Sequence, residues 1–318
     1  MLLINEQTVR RIIDEDCALR LAKQVFLLIA RGKTGMPPKI YLTLPHGDDF
    51  RAMPAYLDLG GAGVACGVKW VSVFPDNPRR GRPTVNAVIL LNSSKSGQTL
   101  AMVEANAITA LRTAATAALA TRYLARPHPQ KLALVGAGLQ AEYQLRALAV
   151  RARFSEIAVW APRPEEAAAF CSRLRAFKNM SAYARLEDCV RGADIITTCT
   201  PSRRPLVKKA WVKKGAHINA IGADARGKEE LDPALLRDAT VVVDAWDQAS
   251  HSGEINVPVS RGAFTRRDLH AELAAIVAGR KKGRRTAEEI TVFDSTGLAV
   301  LDIHFAHFVY GEHSKKRA

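Results

Sequence analysis

The chain has 318 residues, 48% of them hydrophobic and 24% charged, and it carries a formal net charge of +15. Its length and apolar content allow a sizeable core in one large or two medium domains. The sequence becomes charged at Glu6 and has no long apolar run before it, which excludes a signal peptide and a membrane span and predicts a cytoplasmic protein.

The positive charge and the cysteines limit the classes of partner. The densest basic clusters, residues 280–285 and 315–317, are short and hold no aromatic residue for base stacking. They predict a solvated loop and a frayed end, with no nucleic-acid or membrane partner, and a basic cleft would instead attract an anionic cofactor or a carboxylate substrate. The five cysteines include no C-x-x-C pair, which favours free thiols in a reducing compartment, and no metal site is predicted.

The first 120 residues are predicted to form one helix followed by strands. An amphipathic helix is expected over 8–30, and apolar runs predict strands over 40–44, 51–57, 64–74, 84–91 and 99–104. A long helix over 107–124 then leads to the stiff link Arg126-Pro127-His128-Pro129.

The next segment, LALVGAGLQAEYQLRAL over 132–148, reads as a strand, a Gly-x-Gly-x-x-Ala turn and a helix. Gly136 would make the tight turn, Gly138 would let the backbone approach a dinucleotide pyrophosphate, and Ala141 would let the helix pack closely on the strand. The predicted cofactor-binding residues of this turn are Gly136, Ala137, Gly138, Leu139, Gln140 and Ala141.

The rest of the chain continues the alternation of strands and helices. Strands are predicted over 156–160, 194–199, 217–221 and 240–244, with a helix over 164–177 and a last helix over 297–311. The order predicts an α/β fold in which a Rossmann-type, doubly wound domain (123–295) is inserted in a discontinuous α+β domain (1–122 and 296–318).

Eight segments carry a resemblance to a known family: MPPKIYL (36–42), FRAMPAYL (50–57), GVKWVSVFPDNP (67–78), ITALRTAATAALATRYLA (108–125), TCTPSRRPLV (198–207), NAIGADARGKEELD (219–232), DQASHSGEINVP (247–258) and VFDSTGLAVLDI (292–303). Together they resemble the ornithine cyclodeaminase/mu-crystallin family, and within it most the archaeal-type alanine dehydrogenases. The resemblance implies an NAD(P)-dependent enzyme that acts on the Cα–N bond of an amino acid or imine, with a small amino acid, imine or oxo acid as its substrate. It also implies a homodimer formed through the discontinuous domain.

Two residues are predicted to move protons. Oxidation of an amino acid to its imine needs a base for the amine proton, and a lysine whose pKa is lowered by burial suits that role. Lys69, in the apolar run GVKWVSV, matches the family's catalytic lysine, and the alternative is a lysine at a strand edge with its head in water. Asp224 follows a strand of the nucleotide domain and matches the family's acid/base aspartate, and the alternative is a cap of the turn before Gly227.

Three cations are predicted to bind the substrate. Arg112 lies in an Ala- and Leu-rich helix, so we expect it to be partly buried and to need an anionic partner. Lys39 stands where cyclodeaminases tend to have arginine, and a surface cation is its alternative. Arg51 stands where they have an acid that holds the second amine of ornithine, so a cation here would disfavour that substrate.

The cofactor preference is predicted from the end of the second nucleotide-domain strand. Ala161 occupies the position of the acid that binds the ribose 2′-OH in NAD enzymes, and Arg163 could pair with a 2′-phosphate. NADP(H) is therefore favoured over NAD(H). The resemblance adds cofactor contacts at Thr84, Thr113, Lys228 and Ser295, and Thr200 is added because it ends the fourth strand. The alternative for each of the five is a solvated polar residue.

Alternatives of other classes stay open at this point. A redox-neutral ornithine cyclodeaminase would convert ornithine to proline and ammonia while NAD is regenerated. A non-catalytic NADPH-binding protein of the mu-crystallin type would bind the dinucleotide without turnover. A nucleic-acid binder would show a steep salt dependence of binding.

Overall fold

The structure is a computed structural model that describes residues 1–315, so Lys316 and Arg317 of the predicted basic tail lie outside the described residues. The chain divides into two compact units. Residues 1–112 and the segment from Leu298 form the discontinuous unit, and Thr113–Gly297 forms the inserted unit. The first boundary between the units falls inside a helix. The sequence analysis places it at 122/123 instead, near the end of that helix and shortly before Pro127, which interrupts the helical pattern.

Within the described residues, the strands are, in chain order, β1 (Leu2–Ile4), β2 (Thr34–Gly35), β3 (Ile40–Thr43), β4 (Asp49–Asp58), β5 (Val64–Val73), β6 (Val85–Ser93), β7 (Thr99–Glu104), β8 (Lys131–Val135), β9 (Glu156–Trp160), β10 (Met180–Ala182), β11 (Ile195–Thr198), β12 (Arg203–Val207), β13 (His217–Ala220), β14 (Glu229–Leu231), β15 (Thr240–Val243), β16 (Ala271–Glu272) and β17 (Thr291–Asp294). The helices are α1 (Glu6–Ile12), α2 (Glu15–Ala30), α3 (Asn106–Leu124), α4 (Leu139–Ala149), α5 (Pro164–Arg173), α6 (Leu186–Val190), α7 (Pro233–Asp238), α8 (Trp246–Ser252), α9 (Asn256–Ser260), α10 (Leu273–Val277) and α11 (Ala299–Lys315).

The discontinuous unit is built on a sheet of order β1-β7-β6-β5-β4-β2, with β3 paired to β4. Its pairs are antiparallel except for the parallel pair of β1 and β7. Helix α11 packs against β4, β5, β6 and α2. Because successive strand residues point to opposite faces, β4 buries Met53, Ala55 and Leu57 while Tyr56 is 48% exposed on the other face.

The inserted unit is built on a wholly parallel sheet of order β10-β9-β8-β11-β13-β17-β15-β16. The predicted α/β class is therefore confirmed. The strand order reverses at β8, which has β9 on one side and β11 on the other, and ligands of such sheets bind at the carboxyl edge near this reversal. Strand β8 ends at Val135, so the Gly-rich turn lies at the reversal.

Several predicted elements differ from those in the structure. The helix predicted over 8–30 is two helices, because Ile13 is extended and the Asp14 side chain accepts a hydrogen bond from the backbone N–H of Cys17, which starts α2. Helix α5 ends at Arg173 rather than at residue 177. Strand β17, which lies between β13 and β15, is absent from the prediction.

The basic segment 280–285 is not wholly a solvated loop. Arg284 is half-buried and donates hydrogen bonds to the carbonyl oxygens of Leu124, Ala216 and Glu289. Arg284 thus ties the end of α3 to the amino-terminal edge of the parallel sheet. Among the described helices, none combines the length and apolarity that a membrane crossing requires.

Candidate active site

Lys69 lies within β5, on the face of the sheet that packs against helix α11. Burial alternates along this strand, so Lys69 and Val71 are buried while Trp70 between them is 41% exposed. Lys69 is 1% exposed, and its Nζ lies 2.7 Å from Oδ2 of Asp302 on α11. The lysine therefore lies in a closed layer with a buried acid, not at an exposed strand edge.

Arg112 of helix α3 contacts the same acid. Its Nε donates to Oδ1 of Asp302 over 3.0 Å, and both side chains are buried. Two cations therefore contact one carboxylate, and the three groups carry a net charge of about +1 when Lys69 is protonated. Such a cluster favours an anion nearby, and arginine offers a planar fork that matches a carboxylate.

Burial controls the protonation of this cluster. Removal from water lowers the pKa of Lys69 to about 7, Asp302 opposes this change, and the positive charges of Arg112 and Lys39 add to it. Burial alone would raise the pKa of Asp302, but Arg112 and Lys69 outweigh it and hold that pKa below its usual range. Near neutral pH, Lys69 can therefore gain or lose a proton beside an ionised carboxylate.

Arg51 and Lys39 differ in how they are held. Arg51, 5% exposed on β4, donates from Nε and Nη2 to the two carboxylate oxygens of Asp49 over 2.6 and 3.1 Å. Its guanidinium carbon lies 5.2 Å from the ring centre of Tyr41. Asp49, which was not among the predicted site residues, thus compensates the positive charge of Arg51. Lys39 is half-buried just before β3, and its charge acts on Lys69.

The Gly-rich turn after β8 has the geometry that a pyrophosphate needs. Gly136 has φ +117°, and a Cβ there would lie 2.8 Å from the carbonyl oxygen of Cys199, so only glycine fits. A Cβ on Gly138 would meet open space, and no side chain caps the helix that begins at Leu139. Ala141 is fully buried. Exposed backbone at a helix N-terminus, reached through two glycines, fits an anionic dinucleotide.

The other predicted residues of this turn border the same backbone. Ala137 and Gln140 are half-buried, and Leu139 is 54% exposed. The buried Oε1 of Gln140 has no hydrogen-bond partner within residues 1–315. The turn is joined to the next strand because Gly136 donates its N–H to the carbonyl of Trp160.

Arg163 lies at the start of helix α5, two residues after Ala161 and three after the end of β9. Its side chain is 70% exposed and donates to Glu166 in the first turn of that helix. A 2′-phosphate at this place would compete with Glu166 for the guanidinium.

Asp224 lies in the loop between β13 and β14, and its carboxylate is 33% exposed. Lys228, predicted as a separate cofactor contact, donates from Nζ to Oδ1 of Asp224 over 2.6 Å. The turn at Gly227 has φ +77° and is held by Asn256, whose Oδ1 accepts the Gly227 N–H. Asp224 and Lys228 therefore form an ion pair, and Asn256 accepts the N–H of the turn at Gly227.

The remaining predicted contacts belong to different units. Thr113, Thr200 and Ser295 are buried in the inserted unit, and Thr84 is half-buried before β6 in the discontinuous unit. The Ser295 hydroxyl has no hydrogen-bond partner in the described part of the chain. Asp244 accepts the N–H groups of Thr296 and Gly297 and thereby fixes the turn after Ser295.

Sequence reasoning missed the buried acids, among them Asp302 and Glu230. Asp302 is the anionic partner that Arg112 was expected to need, and it lies 190 residues further along the chain. An acid within the apolar run VFDSTGLAVLDI was the available signal. Glu230, fully buried in β14, left a similar signal in KEELD, where both adjacent acids, Glu229 and Glu230, are buried.

Comparisons with known proteins show which family the whole chain resembles. The model of the ornithine cyclodeaminase/mu-crystallin family matches residues 1–317. Alanine dehydrogenase of Archaeoglobus fulgidus is 43% identical over 97% of this chain and 94% of its own length. An archaeal alanine dehydrogenase dimer with bound NAD superposes with a TM-score of 0.94 at 42% identity, covering 100% of this chain and 97% of that one. Thermococcus litoralis Δ1-pyrroline-2-carboxylate reductase, in complex with NADH and L-proline, gives a TM-score of 0.95 at 33% identity, covering 100% and 99%.

Proposed function

Because the chain belongs to the ornithine cyclodeaminase/mu-crystallin family, as its sequence segments predicted, we propose that it is an NAD(P)-dependent oxidoreductase of amino acids or imines. It acts on the CH–NH2 or C=N bond of a small amino acid, imine or ketimine. The observation that carries the proposal is the buried cluster of Lys69, Asp302 and Arg112 in a chain that also holds a dinucleotide turn. Of the three proteins compared above, two are alanine dehydrogenases and one is a Δ1-pyrroline-2-carboxylate reductase by name.

Lys69 is the proposed proton carrier. When bound, the nicotinamide cofactor supplies or accepts the hydride at the substrate Cα. In the oxidative direction neutral Lys69 accepts the proton that the substrate amine gives up, and in the reductive direction protonated Lys69 returns it. A pKa near 7 suits both directions, since each form is populated at neutral pH. Asp302 holds the Lys69 ammonium and stays ionised throughout.

Arg112 and Lys39 are the proposed carboxylate-binding groups. Arg112 is oriented by Asp302, so its planar donors are fixed before the substrate arrives. Lys39 contributes a point charge. Arg51 is proposed to disfavour a substrate with an ammonium side chain, although Asp49 compensates part of its charge. Ornithine is accordingly the weaker substrate in this proposal.

Asp224 is the proposed acid/base for the exchange between imine and oxo acid. Its carboxylate is partly exposed to water, which that hydrolysis consumes, and the ammonium of Lys228 keeps it close to a proton donor. A carboxylate can accept a proton from water as it attacks the imine carbon. The protonated Asp224 then gives its proton to the amine nitrogen, which leaves as ammonia, and the carboxylate is ionised again.

NADP(H) over NAD(H) stays a prediction of this proposal. The absence of an acid at Ala161 and the position of Arg163 support it. Glu166 opposes it, since its carboxylate already holds the Arg163 guanidinium and would repel a 2′-phosphate. The two solved relatives contain NAD and NADH.

The purified protein tests the proposal directly. NADPH and NADH consumption is measured with 2-oxo acids plus ammonia or methylamine and with cyclic ketimines, and we expect turnover of at least one class. Conversion of ornithine to proline without net NAD reduction would favour the cyclodeaminase. Dinucleotide binding without turnover of any substrate in the panel would contradict the oxidoreductase proposal.

A homodimer through the discontinuous unit is also proposed. One face of its sheet shows an apolar row across five strands, set by the strand register: Leu3, Met102, Leu90, Val68 and Pro54. Tyr56 and Trp70 on this face are 48% and 41% exposed, and monomers rarely leave such a surface uncovered. Trp70→Glu should shift the protein to monomer in light scattering, whereas Val150→Glu on the inserted unit should not. A wild-type mass for Trp70→Glu would contradict the proposed face.

A further inference from the structure

Glu230 is a fully buried carboxylate that the proposed chemistry does not use. Its Oε1 accepts hydrogen bonds from the backbone N–H and the hydroxyl of Thr200, each over 2.7 Å. Its Oε2 accepts the Thr198 hydroxyl over 2.7 Å and the Gly222 N–H over 2.9 Å. Four donors converge on one side chain, which is the number that the lone pairs of an ionised carboxylate can accept.

These donors belong to two loops at the carboxyl edge of the parallel sheet. Thr198 ends β11 and leads to Thr200, while Gly222 follows β13 and leads to Asp224. A Cβ on Gly222 would lie 2.1 Å from the Thr200 carbonyl oxygen and 2.7 Å from the Glu230 carboxyl carbon. The two loops and the carboxylate therefore pack with no room for a side chain between them.

The dinucleotide turn rests on the first of these loops. A Cβ on Gly136 would lie 2.8 Å from the carbonyl oxygen of Cys199 and 3.4 Å from Cγ2 of Thr200. A shift of the Cys199–Thr200 backbone would therefore press on Gly136 or leave a gap beside it. Glu230 is therefore linked to the dinucleotide turn by way of Thr200, and to the loop that carries Asp224 by way of Gly222.

A second buried acid holds the strand that carries Glu230. Glu254 accepts the N–H groups of Glu230 and Leu231 over 2.8 and 2.7 Å. The backbone of β14 is thus fixed from one side while the Glu230 side chain fixes two loops on the other. Asp294 extends the arrangement, since its Oδ2 accepts the Ile255 N–H next to Glu254.

We propose that Glu230 is a positioning residue that sets the dinucleotide turn and the Asp224 loop at the same time. This inference rests on the proposed function for the role of both segments. Glu230 contacts neither reacting group, and it acts by fixing Thr200 and Gly222. Cofactor affinity and the acid/base step therefore both depend on Glu230.

The carboxylate, rather than its shape, is what the site requires. Both oxygens accept from a backbone N–H, one from Thr200 and the other from Gly222. A glutamine of the same shape has one oxygen and one NH2, so its NH2 must face one of these N–H groups. Glu230→Gln therefore loses a backbone hydrogen bond whichever way its amide is turned, and the loop that loses it moves.

The test compares Glu230→Gln with Glu229→Gln in the full-length protein. Glu229 is the neighbouring buried acid of β14, and its Oε2 has no hydrogen-bond partner among the described residues. We expect Glu230→Gln to raise the Kd for NADH or NADPH about tenfold and to lower kcat about tenfold, because the two loops pack directly on each other at Thr200 and Gly222, so the one lost buried hydrogen bond releases both. The KM of the amino acid or imine should stay unchanged, and so should all constants of Glu229→Gln.

Hydrogen exchange of the unliganded protein separates this inference from the proposed function. Faster exchange at Thr200 and Gly222 in Glu230→Gln would show that the support is lost, whether or not any substrate turns over. If the dinucleotide binds without turnover, the proposed function fails while the expected change in Kd still tests Glu230. Faster exchange with a wild-type Kd and kcat would overturn the positioning role.

A second variant covers the case in which Glu230→Gln does not fold by circular dichroism. Thr198→Val removes one hydroxyl donor and leaves both backbone bonds to Glu230. We expect a rise of about threefold in the dinucleotide Kd with an unchanged substrate KM. A wild-type Kd in a folded Thr198→Val protein would then overturn the proposal.

Discussion

Replacement of Lys69 by methionine is the sharpest test of the proposed chemistry. Methionine is apolar and of similar length, so it suits a position that is 1% exposed. Asp302 keeps the Arg112 Nε at 3.0 Å, so folding should lose only about 1–2 kcal/mol, less than the about 3–5 kcal/mol of a buried acid that loses its single partner. A general base contributes about 10²–10⁴-fold, so kcat/KM should fall about 10³-fold, or about 4 kcal/mol of transition-state stabilisation.

The assay follows NAD(P)H absorbance with the preferred substrate and dinucleotide binding by fluorescence. Dinucleotide affinity should stay at its wild-type value in Lys69→Met, because the Gly-rich turn is unchanged. Lys33→Met is the matched control, since Lys33 also pairs with an acid, Asp58, over 2.9 Å, but at a half-buried site that water reaches. If folded Lys69→Met keeps near-wild-type kcat/KM, Lys69 is not the proton carrier.

Three further predictions concern pH, the turn and the cofactor. In the oxidative direction only neutral Lys69 is active, so kcat/KM should rise with pH and level off above the pKa of about 7; a flat profile through neutrality would contradict this. Gly136→Ala should lose stability and dinucleotide binding because its Cβ meets Cys199, whereas Gly138→Ala should melt like wild type and lose binding only; equal melting temperatures for the two would count against the turn geometry. Arg163→Ala should weaken NADPH far more than NADH in titrations, and equal losses would remove Arg163 from cofactor selection.

Local signals in the sequence predicted the strand-turn-helix at Gly136 well. The glycine spacing, the apolar run before it and the helical pattern after it are all short-range features, and β8 and α4 form there. Strand β17 gave no comparable signal. It is four residues long, follows a charged segment and gains its place only by pairing with β13 and β15, which the chain order does not reveal.

The residues of the candidate site also divide into those that a local sequence pattern predicts and those that only long-range packing brings together. The apolar strand around Lys69 led us to expect a buried lysine, and the Ala-rich helix led us to expect an anion beside Arg112. The identity of that anion, Asp302, depends on long-range packing of α11 against β5, which one sequence does not encode in any local pattern. The Asp49 partner of Arg51 lay two residues away, but alternation along β4 places both on one face only once the strand is known. The roles of these residues stay predictions.

The discontinuous unit also has a consequence for synthesis on the ribosome. The residues of the inserted unit are contiguous, so that unit can begin to fold as soon as Gly297 has emerged. Lys69 and Arg112 are made much earlier, yet their common counter-ion arrives only with α11, after the whole inserted unit. Until α11 is made, Lys69 and Arg112 lack the Asp302 carboxylate beside them, and the apolar face of β4 and β5 is not covered by that helix. A nascent chain stalled before Asp302 would thus expose an incomplete core, and chaperones that recognise apolar surface would meet it there.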